Sequence, residues 1–473
     1  MMRTLAGAAS AGLLSLLLTG CATAPPTAAT AAAPGPAPAA AGIRIPVEYY
    51  RLANGLRVVL SRETSSPTVT VGVYYRIGFR IEPRGRTGFA HLFEHLMFQG
   101  SANLPKGEFD RLIEGNGGVS NGSTRFDYTN YFEIVPSHVL EPVLWAEADR
   151  MKSLAITQEN LVNQQDVVKN EVRGNVLNRP YGGFPWLSMS QVANTNWFNA
   201  HNFYGDLADI DAATLEEAQE FFDQYYAPGN AVLVVAGDFD ADQARGWIGK
   251  YCGSIPGRTP VTLPDVSEPR QEAERRVSQV DALAPRPALA LAWHVPERGT
   301  PEHYAFGLID QMLLQGEDSA LWQRIVQERG YAGSISGGIN LLGNMFTYEG
   351  PMLWMAYLIH DAGVDPDQVI ADIDEVTARL RGAPPAPADM ERALTKIRAS
   401  LYDLAGSSTR FGLVDLLASF ALFDDDPARI NRIEEEFRKV TPELVQQVAR
   451  EYLRPGNRTV LVLEPGAAGG SQP

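Results

Sequence analysis

Two histidines and a glutamate stand close together in the stretch from Gly88 to Gly100, which reads GFAHLFEHLMFQG. His91, Glu94 and His95 form the order H-x-x-E-H, the gaps are apolar, and no helix breaker falls between Phe89 and Gln99. On a helix, His91 and His95 occupy positions i and i+4 and lie one above the other on a single face. Glu94, three residues after His91, sits beside that face. Two neutral imidazoles one turn apart can hold a divalent zinc ion, and a neighbouring carboxylate can take a proton from water that the ion polarises. The competing reading is an amphipathic helix with two ordinary histidines. A third ligand decides between them.

A second predicted helix offers that ligand. Thr157 reads as the N-cap of a helix running to about Val176. Leu161, Gln164, Val168 and Glu171 follow one another at spacings of three, four and three, so they share a face, and the two apolar members turn it inward. Glu171 is then a carboxylate where the pattern calls for an apolar side chain. A buried carboxylate needs a partner, and a metal ion is one. The alternative is a partly exposed glutamate on the helix flank.

These side chains need a scaffold, and the chain predicts one. Residues 49–60 carry Asn54-Gly55 between apolar runs, a hairpin signal. Residues 68–75 alternate and are rich in β-branched side chains, as a central strand is. A polar loop, 78–86, leads into the histidine helix. Then come a short helix over 108–114, strands near 119–124 and 129–135, and a helix over 138–152.

The chain also repeats itself. Thr214, Tyr225, Pro228, Gly229 and Asn230 recur as Thr441, Tyr452, Pro455, Gly456 and Asn457, each 227 residues later. Both copies read as a helix, a Pro-Gly-Asn turn and a buried strand. The expected fold is α+β, with two homologous domains, 44–252 and 276–465, each an antiparallel-rich sheet packed by helices. A proline-rich linker, 253–275, joins them, and a disordered tail, 466–473, follows. The same offset pairs His91, Glu94 and His95 with Asp318, Leu321 and Trp322, inside a predicted helix over 319–329. One half therefore carries the chemistry, and the other shapes the site without ligands of its own.

At 473 residues, with 45% hydrophobic and 20% charged side chains, the chain has the composition of a multidomain globular protein. Its net charge of -16 excludes nucleic acid as a partner and is compatible with cationic peptides. Residues 1–20 read as a signal peptide, with Arg3 before an apolar run too short to span a bilayer. Leu18-Thr19-Gly20-Cys21 resembles a bacterial lipobox, with Cys21 as the lipidated residue and Ala22 favouring the outer membrane, facing the periplasm. Residues 21–43, mostly Ala, Pro, Thr and Gly, form a disordered tether. Cys252 is then the only other cysteine, no internal disulfide forms, and its simplest place is in the core.

Taken together, the H-x-x-E-H order, Glu171 at 76 residues beyond His95, and the duplication resemble the pitrilysin (insulinase) family of zinc peptidases, which includes the mitochondrial processing peptidases. The resemblance covers nearly the whole exported chain. It implies one Zn²⁺ per chain held by His91, His95 and Glu171, with Glu94 as general base in the hydrolysis of peptides or unfolded polypeptides. Gly117 to Thr124, followed by Asp127 and Tyr131, is similar to the family's edge strand, to which substrate adds by main-chain pairing. Gly118, Ser120 and Asn121 are the expected substrate-binding residues.

Three positions depart from the family. Its second domain usually supplies an arginine and a tyrosine, and here Val326 and Gly333 stand at those places, with Arg329 and Tyr331 nearby as substitutes. Gln164 replaces a common glutamate ahead of the third ligand. The resemblance therefore implies a homo- or heterodimer in which a second pitrilysin-like chain brings the missing Arg and Tyr. The alternative role is a non-catalytic binding or assembly subunit that keeps the metal site.

Overall fold

Asn54 and Gly55 make the first turn of the fold. Gly55 takes a φ of 93°, in the left-handed region, and the chain doubles back from β1 (Glu48–Arg51) into β2 (Arg57–Arg62). A computed structural model describes residues 44–258 and 261–466. The signal peptide, Cys21, the tether to residue 43, and residues 467–473 of the tail lie outside the described residues.

The first sheet adds β3 (Thr68–Tyr75), β4 (Val119–Thr124), β5 (Thr129–Pro136) and β6 (Ala231–Gly237), in the order β1-β2-β6-β3-β5-β4. Every pairing is antiparallel except β2 with β6. The second sheet holds β7 (Arg275–Asp281), β8 (Ala288–His294), β9 (Ser336–Ile339), β10 (Leu353–Ile359) and β11 (Arg458–Pro465), in the order β7-β11-β8-β10-β9. Again one pair alone, β7 with β11, is parallel. The fold is α+β, and the two halves share one sheet topology, with β1 added to the first.

β6 is buried at every residue, which explains its unbroken apolar run: both faces of the sheet are covered. Helices of the first half pack on one face. On the other lies a helix from the second half, Phe411–Phe423, apolar on nearly all sides and packed over β2, β3 and β6. Gly72 makes room for it, since a Cβ there would stand 2.7 Å from Val414 Cγ1. Cys252 is buried beside the same sheet, as its composition suggests.

The repeated Pro-Gly-Asn turns have a common physical cause. Asn230 Nδ2 donates to Tyr225 O at 2.8 Å and to Arg76 O at 3.2 Å. Asn457 Nδ2 donates to Tyr452 O at 2.8 Å and to His294 O at 3.1 Å. In each half one amide ties the end of a helix to the end of the neighbouring strand, satisfying carbonyls that would otherwise be orphaned.

The constant offset does not extend to the histidine helix. After β3 the first long helix is Phe89–Leu96, and after β8 it is Pro301–Leu313. Asp318 lies in a loop, and Leu321 and Trp322 belong to Ala320–Trp322, which continues as a π-type turn, Gln323–Glu328. That segment occupies the place of Glu108–Glu114 instead. The register has already shifted at the strands, where pairing equates Tyr75 with Trp293, and it shifts further because residues 76–88 connect β3 to its helix whereas only 295–300 connect β8 to its own.

Within Pro301–Leu313, Asp310 is 8% exposed and accepts hydrogen bonds from Trp354 Nε1 at 2.6 Å and Gln315 Nε2 at 3.1 Å. Burial raises its pKa from 3.8 to about 6, against the two hydrogen bonds. The folded chain thus keeps a proton that the unfolded chain has released, and stability falls as pH rises from about 4 to about 6. Asp310→Asn removes that fall. Urea denaturation should show the variant more stable by about 1–3 kcal/mol above pH 7, with the difference vanishing below pH 4.

Candidate metal centre

The histidine helix, Phe89–Leu96, starts from Gly88 in a left-handed conformation with φ 85°. A side chain there would approach Tyr204 O and Ile210 Cδ1 to 3.0 Å, so the segment around Tyr204–Ile210 is seated directly on the helix start. The free N–H groups of the first turn go to Glu82. Its Oε2 accepts from Gly88 N at 2.8 Å and its Oε1 from Ala90 N at 2.7 Å. Glu82 is fully buried, which pushes its pKa up, while His201 Nε2, 3.7 Å away, and the two N–H groups favour the charged form. A carboxylate at this end also complements the helix dipole.

His91 is 4% exposed, and His95 is half-buried one turn further on. Their rings are 5.0 Å apart. The third member arrives on the helix Gln158–Val172, capped as expected by Thr157, whose hydroxyl accepts from Asn160 N at 3.2 Å. Leu161, Gln164 and Val168 are buried, and Glu171 is half-buried at the end of the same face. Gln165 Nε2 ties this helix to the Ile210 and Ala213 carbonyls. A π-type turn, Arg173–Leu177, follows Glu171 directly.

Glu171 Oε2 lies 3.6 Å from His91 Nε2 and 3.1 Å from His95 Nε2, and one donor atom from each residue lies within 4.8 Å of the others. Among the described residues this is the one group of His, Cys, Asp or Glu side chains so arranged. Two imidazoles and a carboxylate suit zinc, and ligands at about 2.1 Å from a tetrahedral ion stand about 3.4 Å from one another. The donors present fit that ion. Hydrogen bonds from His91 and then His95 hold the Glu171 carboxyl well below the usual carboxylate range. Its other oxygen accepts from Asn175 Nδ2 at 3.4 Å.

Glu94 sits beside this group, half-buried. Its Oε2 accepts from Thr124 Oγ1, on β4, at 2.7 Å. Gly122 of the same strand would bring a Cβ to 3.3 Å from Glu94 Cγ, so strand and carboxylate are in close contact. Tyr131 OH, on β5, donates to Phe93 O at 3.1 Å and fastens the helix to the sheet. Tyr204 packs its ring 5.4 Å from that of His91, and burial, with the charges of Glu171 and Glu94, raises its pKa. Glu82, Thr124 and Tyr204 escape a reading from spacing alone, because none shares a helix with the histidines.

β4 is the edge of its sheet, with β5 as its one strand partner among the described residues. Gly118 precedes it, Ser120 is half-buried, and Asn121 is exposed, its Oδ1 accepting from Gly122 N at 2.9 Å. None of the three hydrogen-bonds to the metal-centre side chains among the described residues. Gln164 Nε2 donates to Asn163 Oδ1. The expected substitutes for the missing Arg and Tyr are committed elsewhere: Arg329 Nη2 and Tyr331 OH both bond Asp372, each at 2.8 Å.

Replacing Glu82 by Ala strips the acceptor from two buried N–H groups at the start of the histidine helix. Each unsatisfied donor costs about 1–3 kcal/mol. Chemical denaturation should therefore show a loss of about 2–6 kcal/mol. Zinc titration should show weaker binding although no ligand has been touched.

Comparison with known proteins agrees with this geometry. Residues 57–180 match the family model described as insulinase (peptidase family M16), and residues 212–397 match that of the peptidase M16 inactive domain. The chain is 26% identical over 427 residues to the zinc protease PqqE of Helicobacter pylori, covering 88% of this chain and 93% of that one. The crystal structure of a protease from Helicobacter pylori superposes with a TM-score of 0.81 at 25% identity, covering 89% of this chain and 100% of that one. A structure titled as a peptidase M16 inactive domain, from Pseudomonas fluorescens, shares the fold with a TM-score of 0.77 at 18% identity, over 89% of this chain and 98% of the other. The first family match spans His91, Glu94, His95 and Glu171, the second reaches well into the other half, and the chain belongs to the pitrilysin, or insulinase, family of peptidases.

Proposed function

We propose that this chain is a zinc-dependent endopeptidase that hydrolyses peptides or unfolded polypeptides, with Glu94 as general base. The observation that carries the reading is the meeting of His91, His95 and Glu171 within one coordination sphere, with Glu94 against an open strand edge. Bound by those three side chains, a zinc ion polarises a scissile carbonyl and acidifies water. Thr124 holds Glu94 Oε2, leaving Oε1 without a hydrogen bond from the described residues and available to take a proton from water. The same oxygen then returns the proton to the leaving amine. The free edge of β4, with Gly118, Ser120 and Asn121, receives the substrate backbone by strand addition, which reads little sequence.

A second reading, a non-catalytic binding or assembly subunit, draws on Val326 and Gly333 and on the ties of Arg329 and Tyr331 to Asp372. Under the peptidase reading the same facts call for a second pitrilysin-like chain, identical or different, that brings Arg and Tyr. The lipobox at Leu18 to Cys21 supports attachment through Cys21 to the outer membrane, facing the periplasm. Radiolabelled palmitate should enter the wild type and not Cys21→Ser.

Glu94→Gln should keep one zinc per chain and lose peptide cleavage by about 10²–10⁴-fold. Cleavage at the wild-type rate would overturn the role of Glu94, whereas wild-type protein that binds zinc yet never cleaves a peptide library favours the subunit reading. Glu171→Gln should lose the zinc itself, as metal analysis after dialysis will show. Sedimentation should give a dimer, or a complex with a co-purified chain. A monomer cleaving unstructured peptides at full rate sinks the partner.

A further inference from the structure

The second half contains a cavity of about 310 Å³ that the peptidase reading does not use. It lies between the helix Pro301–Leu313, strand β9 and the helix Pro387–Gly406. Ile397, Leu401 and Leu404 supply an apolar wall, and exposed Ser400 marks where it reaches the surface. Asp310 is the one ionisable side chain in its lining.

Both hydrogen bonds to that carboxylate, from Trp354 Nε1 and Gln315 Nε2, fall on Oδ1. Oδ2 accepts none from the described residues, and no Lys, Arg or His among them forms an ion pair with Asp310. Lys396, on the adjoining helix, is turned to the Gln311 and Gln315 carbonyls and to Asp318. A carboxylate more than nine-tenths buried thus lines the cavity with one oxygen unpartnered. Leaving it so is costly, and a cation in the cavity relieves the cost.

The backbone of β9 runs close beside the Asp310–Gln315 pair. Gly338 of β9 has a φ of 145°, where side chains are strained, and a Cβ there would come within 3.2 Å of Gln315 Nε2 and 3.9 Å of Asp310 Oδ1. The cavity is at the lower end of the range for small-ligand sites, with an apolar wall, polar side chains such as Gln311 and Asn344, and one charged group.

We infer that this cavity binds a ligand carrying an alkyl-guanidinium or alkyl-ammonium group, its cation on Asp310 Oδ2 and its stem along Ile397, Leu401 and Leu404. The site goes beyond the peptidase reading and does not depend on it. A basic side chain of a polypeptide and a free small amine share this chemistry.

Calorimetric titration of the zinc-loaded full chain with n-butylguanidinium tests the site, with n-butylurea as a neutral probe of the same shape. The expected result is one site, with the guanidinium bound at least tenfold more tightly than the urea. Asp310→Asn should weaken the guanidinium at least tenfold and abolish the preference. Leu401→Trp, which fills the cavity and leaves the charge, should remove binding of both. Equal affinity for the two probes in the wild type overturns the proposal without recourse to any variant. So does an unchanged guanidinium affinity in Asp310→Asn, since the cation then binds elsewhere on the acidic surface. N-acetyl-arginine methylamide identifies the source: tighter binding than butylguanidinium assigns the site to a polypeptide side chain, weaker binding to a free amine.

Discussion

Three donor atoms on two helices must meet within one coordination sphere, and neither helix can bring all of them. One turn of helix sets the separation of His91 and His95. Glu171 depends instead on how the helix Gln158–Val172 lies against Phe89–Leu96. That contact is made by apolar packing: Leu161, Val168 and Val172 are buried in the same core as Leu92 and Leu96. A displacement of about 1 Å is enough to spoil such a site. The core of the first half therefore serves the candidate metal centre as directly as its three donor residues do.

Charge is arranged to match. Glu82 holds the N-terminus of the histidine helix from a fully buried position, while Glu171 faces the imidazoles from the side. The two carboxylates differ in environment. Burial opposes charge on Glu82, whereas the imidazoles keep Glu171 anionic, the form that binds metal. Glu94, beside the three donors, is held by a hydrogen bond from Thr124. An edge strand thus holds the proposed base through Thr124.

Regular elements were legible where a local rule determines them. Asn54-Gly55 is a turn because glycine tolerates a φ of 93°, and 68–75 is a central strand because its β-branched side chains are buried on both faces. Thr157 caps its helix for the reason its position implies. Contacts that depend on distant packing left no local mark. Nothing near Glu82 announces that it will cap a helix, and Tyr204 reaches His91 only because Gly88 lets its segment close on the helix start. The offset of 227 held for Asn230 and Asn457, whose amides make the same two bonds, and failed for the histidine helix across a loop of different length. A repeat constrains the elements that pack on each other, and the connections between them are free to change.

The second half kept more than a scaffold. Glu94 comes close to Gly122 on the edge strand of its sheet, and Asp310 comes close to Gly338 on the edge strand of the other. Each half thus sets an acid of its first long helix near its edge strand, though at positions that are not equivalent, since the pairing matches Gly122 to Gly337 and not to Gly338. Glu94 stands beside the three side chains of the candidate metal centre and is half-buried. Asp310 has no titratable neighbour in its cavity and is nearly sealed, so its charge is a burden on the free fold. Oδ1 has a structural duty, accepting from the buried Trp354 Nε1, whereas Oδ2 has no such partner among the described residues. The burden disappears when a cation enters, and that difference between the free and the bound state is what makes Asp310 a site.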